Sequence, residues 1–389
     1  GQDAAPMPAA QIQALDAYCK ARFIELVPNQ NSFGHMGRWL QHEAYAQLAE
    51  TPSGSDLSPV EPGSLALLRN MYDDMLPNFS SGFVNVGCDE TWSLGKGRSA
   101  EAVKAEGVGR VYLDFILGIH EIVASHGKRM QFWGDIIMQH PELIPELPKD
   151  AVAMEWGYEA NHPFAEHGKQ FAAAGIEFYV VPGTSSWNSL LGRTDNALEN
   201  LRNAAINGRA NGAKGYLITD WGDGGHWQFL PVSYGPFAYG AALSWSAEQN
   251  LTIDLARALD VHVFEDKAGL MGRMALDLGN AYQKTGILPG NNTVFYGLLL
   301  HHMSKPFGES WLKDLKAEAL RDTIAYLDER SAALSRTDMT CPDAALIRDE
   351  YAMGVAMARF ACELGIARAE AGGVEPSKLP EAEKTRLAS

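Results

Sequence analysis

Two adjacent carboxylic acids, Asp89 and Glu90, close a short apolar run in the segment FVNVGCDETWSLGKG, residues 83–97. Thr91 and Trp92 follow at once. On spacing alone the pair has two readings. One is structural: an N-cap and a first-turn acid, because acids favour helix N-termini. The other is chemical. Neighbouring side chains at a strand end point to different sides. One carboxyl can then meet a leaving-group oxygen while the other meets an adjacent substituent. A carboxyl beside tryptophan in a dry pocket stays protonated and can act as a general acid. Acids held in different surroundings can take different roles.

The tryptophans form the second pattern. Trp133, Trp156, Trp187 and Trp221 are spaced by 23, 31 and 34 residues, about one strand-helix unit each. Each follows a strand-like run and stands beside Gly, Asn, Asp or Glu. A single tryptophan is a core residue as readily as a ligand wall. Four at successive strand ends could instead wall a pocket whose apolar faces stack on a sugar ring. Asp135, Glu155, Tyr158, Asn188 and Asp223 stand close by in sequence and could bind hydroxyls. His35, after Gly34, is either a packed or surface histidine or a group that orients Glu90; His226 in GDGGHWQ is a weaker candidate.

The same residues argue against other chemistries. Eleven histidines show no HxH or HExxH spacing, so no metal is expected, and no cofactor either. Cys19, Cys88, Cys341 and Cys362 show no CxxC spacing and read as buried thiols. The formal net charge of −16 disfavours nucleic acid and anionic membrane surfaces as partners. No apolar stretch approaches the roughly 18 residues of a membrane span. The opening GQDAAPMPAAQ shows neither a basic n-region nor an apolar h-region. The compartment stays open between cytoplasm and a bacterial periplasmic or secreted setting.

These residues need elements to position them. Strand-like runs fall at about 23–28, 83–87, 130–134, 152–156, 177–182 and 215–220. Helical patterns alternate with them, as in VYLDFILGIHEIVASHG with Gly127 as its stop, and DNALENLRNAAINGRANG with Asp195 as a possible N-cap and Gly208 or Gly212 as stops. Near-continuous apolar strands between helices predict a buried parallel sheet. No glycine-rich phosphate loop follows a strand, which disfavours a nucleotide-binding open sheet. Polar and aromatic residues at strand C-terminal ends suit a (β/α)8 barrel, where those ends converge on one face. Residues 1–250 are expected to form the barrel. Residues 251–389 are expected to form a C-terminal helical region with a loose polar tail, its helices either packed on the barrel or offering a surface for a homodimer.

VGCDETWSLGKG resembles the catalytic Asp-Glu motif of glycoside hydrolase family 20, the β-N-acetylhexosaminidases, in the branch related to the hexosaminidase D proteins. ELVPNQNSFGHMGRWLQHEAYAQLAE resembles that branch's third barrel strand with its Gly-His. PGTSSWNSLLGR and TDWGDGGHWQFLPVSY are similar to the same lineage, and the likeness runs over about residues 10–245. The resemblance implies substrate-assisted, retaining hydrolysis of terminal β-linked GlcNAc or GalNAc, outside the two-carboxylate scheme. It implies that Asp89 orients the 2-acetamido group and that Glu90 is the acid and then the base. It implies that His35 hydrogen-bonds the general acid, that Trp133, Trp156 and Trp221 wall the pocket, and that Asp223 binds distal hydroxyls. Tyr158 and Asn188 are candidates for the acetamido carbonyl. The family's first two strand-helix units have no counterpart here, so six strands are expected rather than eight. Two other readings stay open: a retaining glycosidase on plain sugars with Glu155 as nucleophile, and a catalytically damaged sugar-binding fragment.

Overall fold

The computed structural model describes residues 6–388. Their contacts divide into two compact units. The first comprises the chain up to Trp156 with Pro163–Val180 and Asn207–Gly215; the second comprises Gly157–His162, Val181–Ile206 and the chain from Tyr216 onward.

Five strands form one sheet in the order β1 (Phe83–Asn85), β2 (Arg129–Trp133), β3 (Val152–Trp156), β4 (Glu177–Val181) and β5 (Gly215–Tyr216). β1 and β2 run parallel with Val84 opposite Met130; β2 and β3 run parallel with Phe132 opposite Ala153. Val84, Met130, Phe132, Val152, Ala153 and Met154 are all buried, and consecutive residues of β2 and β3 are enclosed rather than alternately exposed. That is the signature of a parallel strand covered on both faces. The helix α1 (Val108–Ser125) packs on β2 and buries Phe115, Ile116, Ile119 and Val123. It stops as expected at Gly127, whose φ of +67° lets Gly127 and Lys128 donate back to Ala124 and Val123. Helix α2 (Phe164–Ala173) sets Phe171 against Phe178 of β4.

The expected strand at 23–28 does not form. Residues 24–28 are without ladder pairing, and the pairing is one parallel bridge, Asn29 to Asn85. Pro28 has no N–H to offer a ladder, and Phe23 turns at φ +59° with its ring fully exposed. The expected strand at 215–220 shrinks to Gly215–Tyr216. The expected (β/α)8-type barrel, with six of its strands in this chain, is therefore represented, among the described residues, by an α/β fold with a five-stranded parallel sheet.

The second unit is mostly helical. Its long helices are α3 (Thr194–Ala210, which crosses into the first unit at its C-terminal end), α4 (Tyr234–Asn250), α5 (Ala317–Ser331) and α6 (Ala344–Glu370). Gly208 lies inside α3, and Gly212 at φ +79° ends it. Asp195 lies in its first turn rather than capping it, and takes hydrogen bonds from Asn280 and Gln283. One apolar core joins Leu190, Leu191 and Leu201 to Phe295, Leu298, Leu320 and Ala358. The contacts thus draw the units along a different line from residue 250, because residues 181–206 share a core with the later helices. The tail expected to be loose ends in a helix, Glu381–Ala388.

Candidate active site

In the first unit the acid pair sits on a turn built by its neighbours. Asn85 ends β1, and its Oδ1 accepts the Gly87 N–H at 2.8 Å and the Asn29 side-chain amide at 2.8 Å. Gly87, Cys88 and Glu90 all take positive φ, at +70°, +73° and +49°. Only the first is a glycine, so the turn holds two side-chain-bearing residues in a conformation they rarely adopt. Such strain persists where surrounding bonds over-determine it. Those bonds are visible. Tyr112 Oη donates to the Cys88 carbonyl at 2.9 Å. The Trp133 N–H donates to the Gly87 carbonyl at 3.0 Å. Buried Asp56 takes the Ser93 N–H at 2.8 Å and its hydroxyl at 2.5 Å, fixing the chain just past Trp92.

His35 faces both acids. Its Nε2 lies 3.3 Å from Asp89 Oδ2 and 3.5 Å from Glu90 Oε2. The hydrogen bond to Asp89 is the largest influence on its proton affinity and raises it above the ordinary histidine value, despite partial burial. The two acids differ in exposure, 16% for the Asp89 side chain against 37% for Glu90. Asp89 Oδ1 is buried with no hydrogen-bond partner among the described residues. A buried carboxylate oxygen without a donor is costly unless a ligand supplies one. The ligand atoms of His35, Asp89 and Glu90 all lie within 4.8 Å of one another, close enough to hold a cation as well as to share protons.

Asp135 lies just past β2 and touches the acid loop from behind. Its Oδ2 accepts the Glu90 N–H at 3.0 Å, and its Oδ1 accepts the Trp156 indole N–H at 3.3 Å. Burial, and then the nearby Asp89 charge, push its carboxyl up to about 7 against the hydrogen bonds that hold it down, the one from the Glu90 N–H foremost. Trp133 and Trp156 end β2 and β3 as expected, with Trp133 buried and Trp156 partly exposed. Trp92, the nearest tryptophan in sequence, is 62% exposed, so it does not dry the acid pair. Glu155 is 2% exposed and bonded to His167 at 2.6 Å. That geometry suits a buried structural pair and gives no support to Glu155 as a nucleophile.

In the second unit another cluster forms. Tyr158 and Trp187 meet edge to face at 5.0 Å. The Trp221 indole donates to Tyr158 Oη at 2.8 Å. Trp187 is buried, whereas Trp221, Asp223 and His226 are exposed. Asn188 stands beside Trp187 at φ +54°. Sequence reasoning singled out these residues but missed three others. Asn85 and Asp56 carried no motif of their own. Asn291 lies 104 residues from the tryptophan it bonds, Trp187.

Residues 7–199 match the glycosyl hydrolase family 20 catalytic domain. That segment, just under half of the chain, resembles the family's catalytic domain. The chain is 30% identical over 177 residues to hexosaminidase D of Bos taurus, covering 42% of this chain and 48% of the relative. It is 28% identical over 156 residues to hexosaminidase D of Homo sapiens, covering 38% of this chain and 32% of that one. The chain therefore spans half or less of the length of these relatives. Among solved structures, the Flavobacterium johnsoniae chitobiase shows a TM-score of 0.47 at 14% identity, covering 99% of this chain and 65% of that one.

Proposed function

We propose that this chain is an exo-acting β-N-acetylhexosaminidase that removes terminal β-linked GlcNAc or GalNAc with retention. The observation that carries the reading is the acid pair: two adjacent carboxyls on one strained turn, one deep with its Oδ1 buried and unbonded among the described residues, one more open, both facing His35. Curated relatives named hexosaminidase D support the substrate class.

The deeper Asp89 accepts the N–H of the sugar's 2-acetamido group through Oδ1. That fixes the acetamido oxygen under C1 and favours the positive charge that develops on the oxazolinium ring. The acetamido oxygen attacks C1 as Glu90 gives its proton to the leaving glycosidic oxygen. Glu90, now a carboxylate, takes a proton from water as that water attacks C1 and reopens the ring. Two inversions give net retention, and Glu90 ends protonated. His35 bridges the two acids, so it keeps them apart in orientation while easing their mutual repulsion. Trp156, held by Asp135, offers an apolar face for the sugar ring.

The test is hydrolysis of aryl β-GlcNAc, β-GalNAc and β-glucoside by the chain and by Glu90→Gln. The expected result is turnover of the two acetamido sugars only, reduced about 10²–10⁴-fold in the variant. Equal turnover of the glucoside would overturn the substrate-assisted reading. Tight binding of a thiazoline analogue without turnover of any substrate would favour a binding role instead.

A further inference from the structure

We propose that Arg368 and His302, in the second unit, bind a small inorganic anion of chloride size, with Lys305 at the entrance. The proposal is independent of the acid pair and of the hexosaminidase reading.

Arg368 lies near the C-terminal end of α6 and is 0% exposed. Burying a guanidinium is costly unless the charge is paired and hydrogen-bonded. The partners it has are carbonyls and a ring. Nε donates to the Val374 carbonyl at 2.9 Å, and Nη2 donates to the carbonyls of Lys305 at 2.5 Å and His302 at 3.4 Å. The centroid of the Phe307 ring lies 4.5 Å from Cζ. Nη1 carries two further N–H donors. It is buried and meets no acceptor among the described residues.

His302 brings two more such atoms to the same place. Both of its ring nitrogens are buried without a hydrogen-bond partner among the described residues. The ring is fixed by its neighbours: it stacks on His301 with centroids 4.7 Å apart and meets Trp311 edge to face at 5.2 Å. Burial, and then the charges of His301, Lys305 and Arg368, hold its proton affinity below the ordinary histidine value. A neutral imidazole still offers one N–H.

The groups gathered here are basic. The opposing charge that reaches Arg368 is that of Glu375, whose carboxylate is taken by Lys378 at 2.7 Å. A water molecule could accept these N–H groups, but it would leave the buried charge uncompensated; an anion answers both needs. A large oxyanion carries more acceptor oxygens than Nη1 and one imidazole N–H can meet. A halide needs only a few donors. The chain just before His302 is irregular as well, with a π-helical turn over Gly297–His301, a form frequent at functional sites. His301 and Lys305 are exposed and His302 is half-buried, which marks the way in.

The experiment follows the broadening of the chloride NMR line by the whole chain, with bromide as competitor and sodium gluconate holding the ionic strength. It compares wild type, His302→Phe and Lys305→Glu. Wild type is expected to give saturable broadening that bromide reverses. His302→Phe keeps a ring and removes the N–H, so the apparent affinity is expected to fall about 10-fold, the worth of one hydrogen bond to a charged group. Lys305→Glu reverses a charge at the entrance and leaves the backbone carbonyl that Arg368 uses, and it is expected to weaken binding too. A circular dichroism melt shows whether each variant folds; if His302→Phe does not, Lys305→Glu decides. No saturable broadening by the wild-type chain overturns the proposal. Equal affinity in wild type and the folded variants puts the anion elsewhere and overturns it as well.

Discussion

Asp135 shows how a residue read as a ligand for hydroxyls can have both oxygens engaged by the protein. The signal in FWGD was an acid past a tryptophan at a strand end, and it gave the right neighbourhood. It could not show that the carboxylate turns inward onto the Glu90 backbone, because that depends on a turn 45 residues away. The position has a measurable consequence. Its carboxyl is raised from an ordinary value to about 7, so the folded chain holds that proton more tightly than the unfolded chain does. Folding stability is then lost as pH rises from the unfolded value towards about 7, and is flat above it. Asn cannot ionise. Asp135→Asn loses one acceptor at every pH but escapes the charge. The melting temperature of the variant, relative to wild type, is expected to be higher at pH 8 than at pH 5. An identical difference at both pH values would show that Asp135 is not protonated in the fold. His35 was legible because Gly-His closed an apolar run; that it would bridge both acids rather than one was not.

At the scale of elements, the sequence showed β2, β3 and β4 within a residue or two and α1 within three. Their periodicity is strong because both faces of the strands and one face of the helix are buried. It overstated the strand at 23–28, where a proline and an exposed turn leave one bridge. It also missed how tightly the first loop approaches the acid turn. A Cβ on Gly34 would lie 2.2 Å from the Asp89 carbonyl oxygen, a backbone atom that cannot swing aside. Gly34→Ala is therefore expected to push the two loops apart. Displacing a catalytic group by about 1 Å can cost about 10²-fold in rate. The check is kcat for aryl β-GlcNAc beside a circular dichroism melt. A folded variant with unchanged kcat would mean that the approach does not position Asp89.

At the scale of the molecule, composition and charge were legible, and the split of the chain was not. Helical patterns after residue 250 suggested an accessory region. The core instead runs from Leu190 and Leu201 into Phe295, Leu320 and Ala358, and such sharing between distant segments leaves no local mark. A chain ended near residue 250 would uncover those leucines together with Tyr239 and Leu243. It is expected to bind a hydrophobic dye and to lose a cooperative urea transition. A sharp, dye-free transition in that shortened chain would restore the boundary at 250. Homodimer formation is therefore better followed by light scattering of the whole chain over a range of concentrations.

The bonds around the acid turn come from far apart in the chain. Asn29, Asp56, Tyr112 and Asp135 each hold one residue of it, and none is adjacent to it in sequence. During synthesis the ribosome delivers Asp89 and Glu90 well before Tyr112 and Asp135, so the nascent chain passes through an interval in which both acids exist without two of the groups that hold their turn. Hydrolysis of a chromogenic hexosaminide would then serve as a clock for completed topology, rising only after the fluorescence signal of collapse has finished.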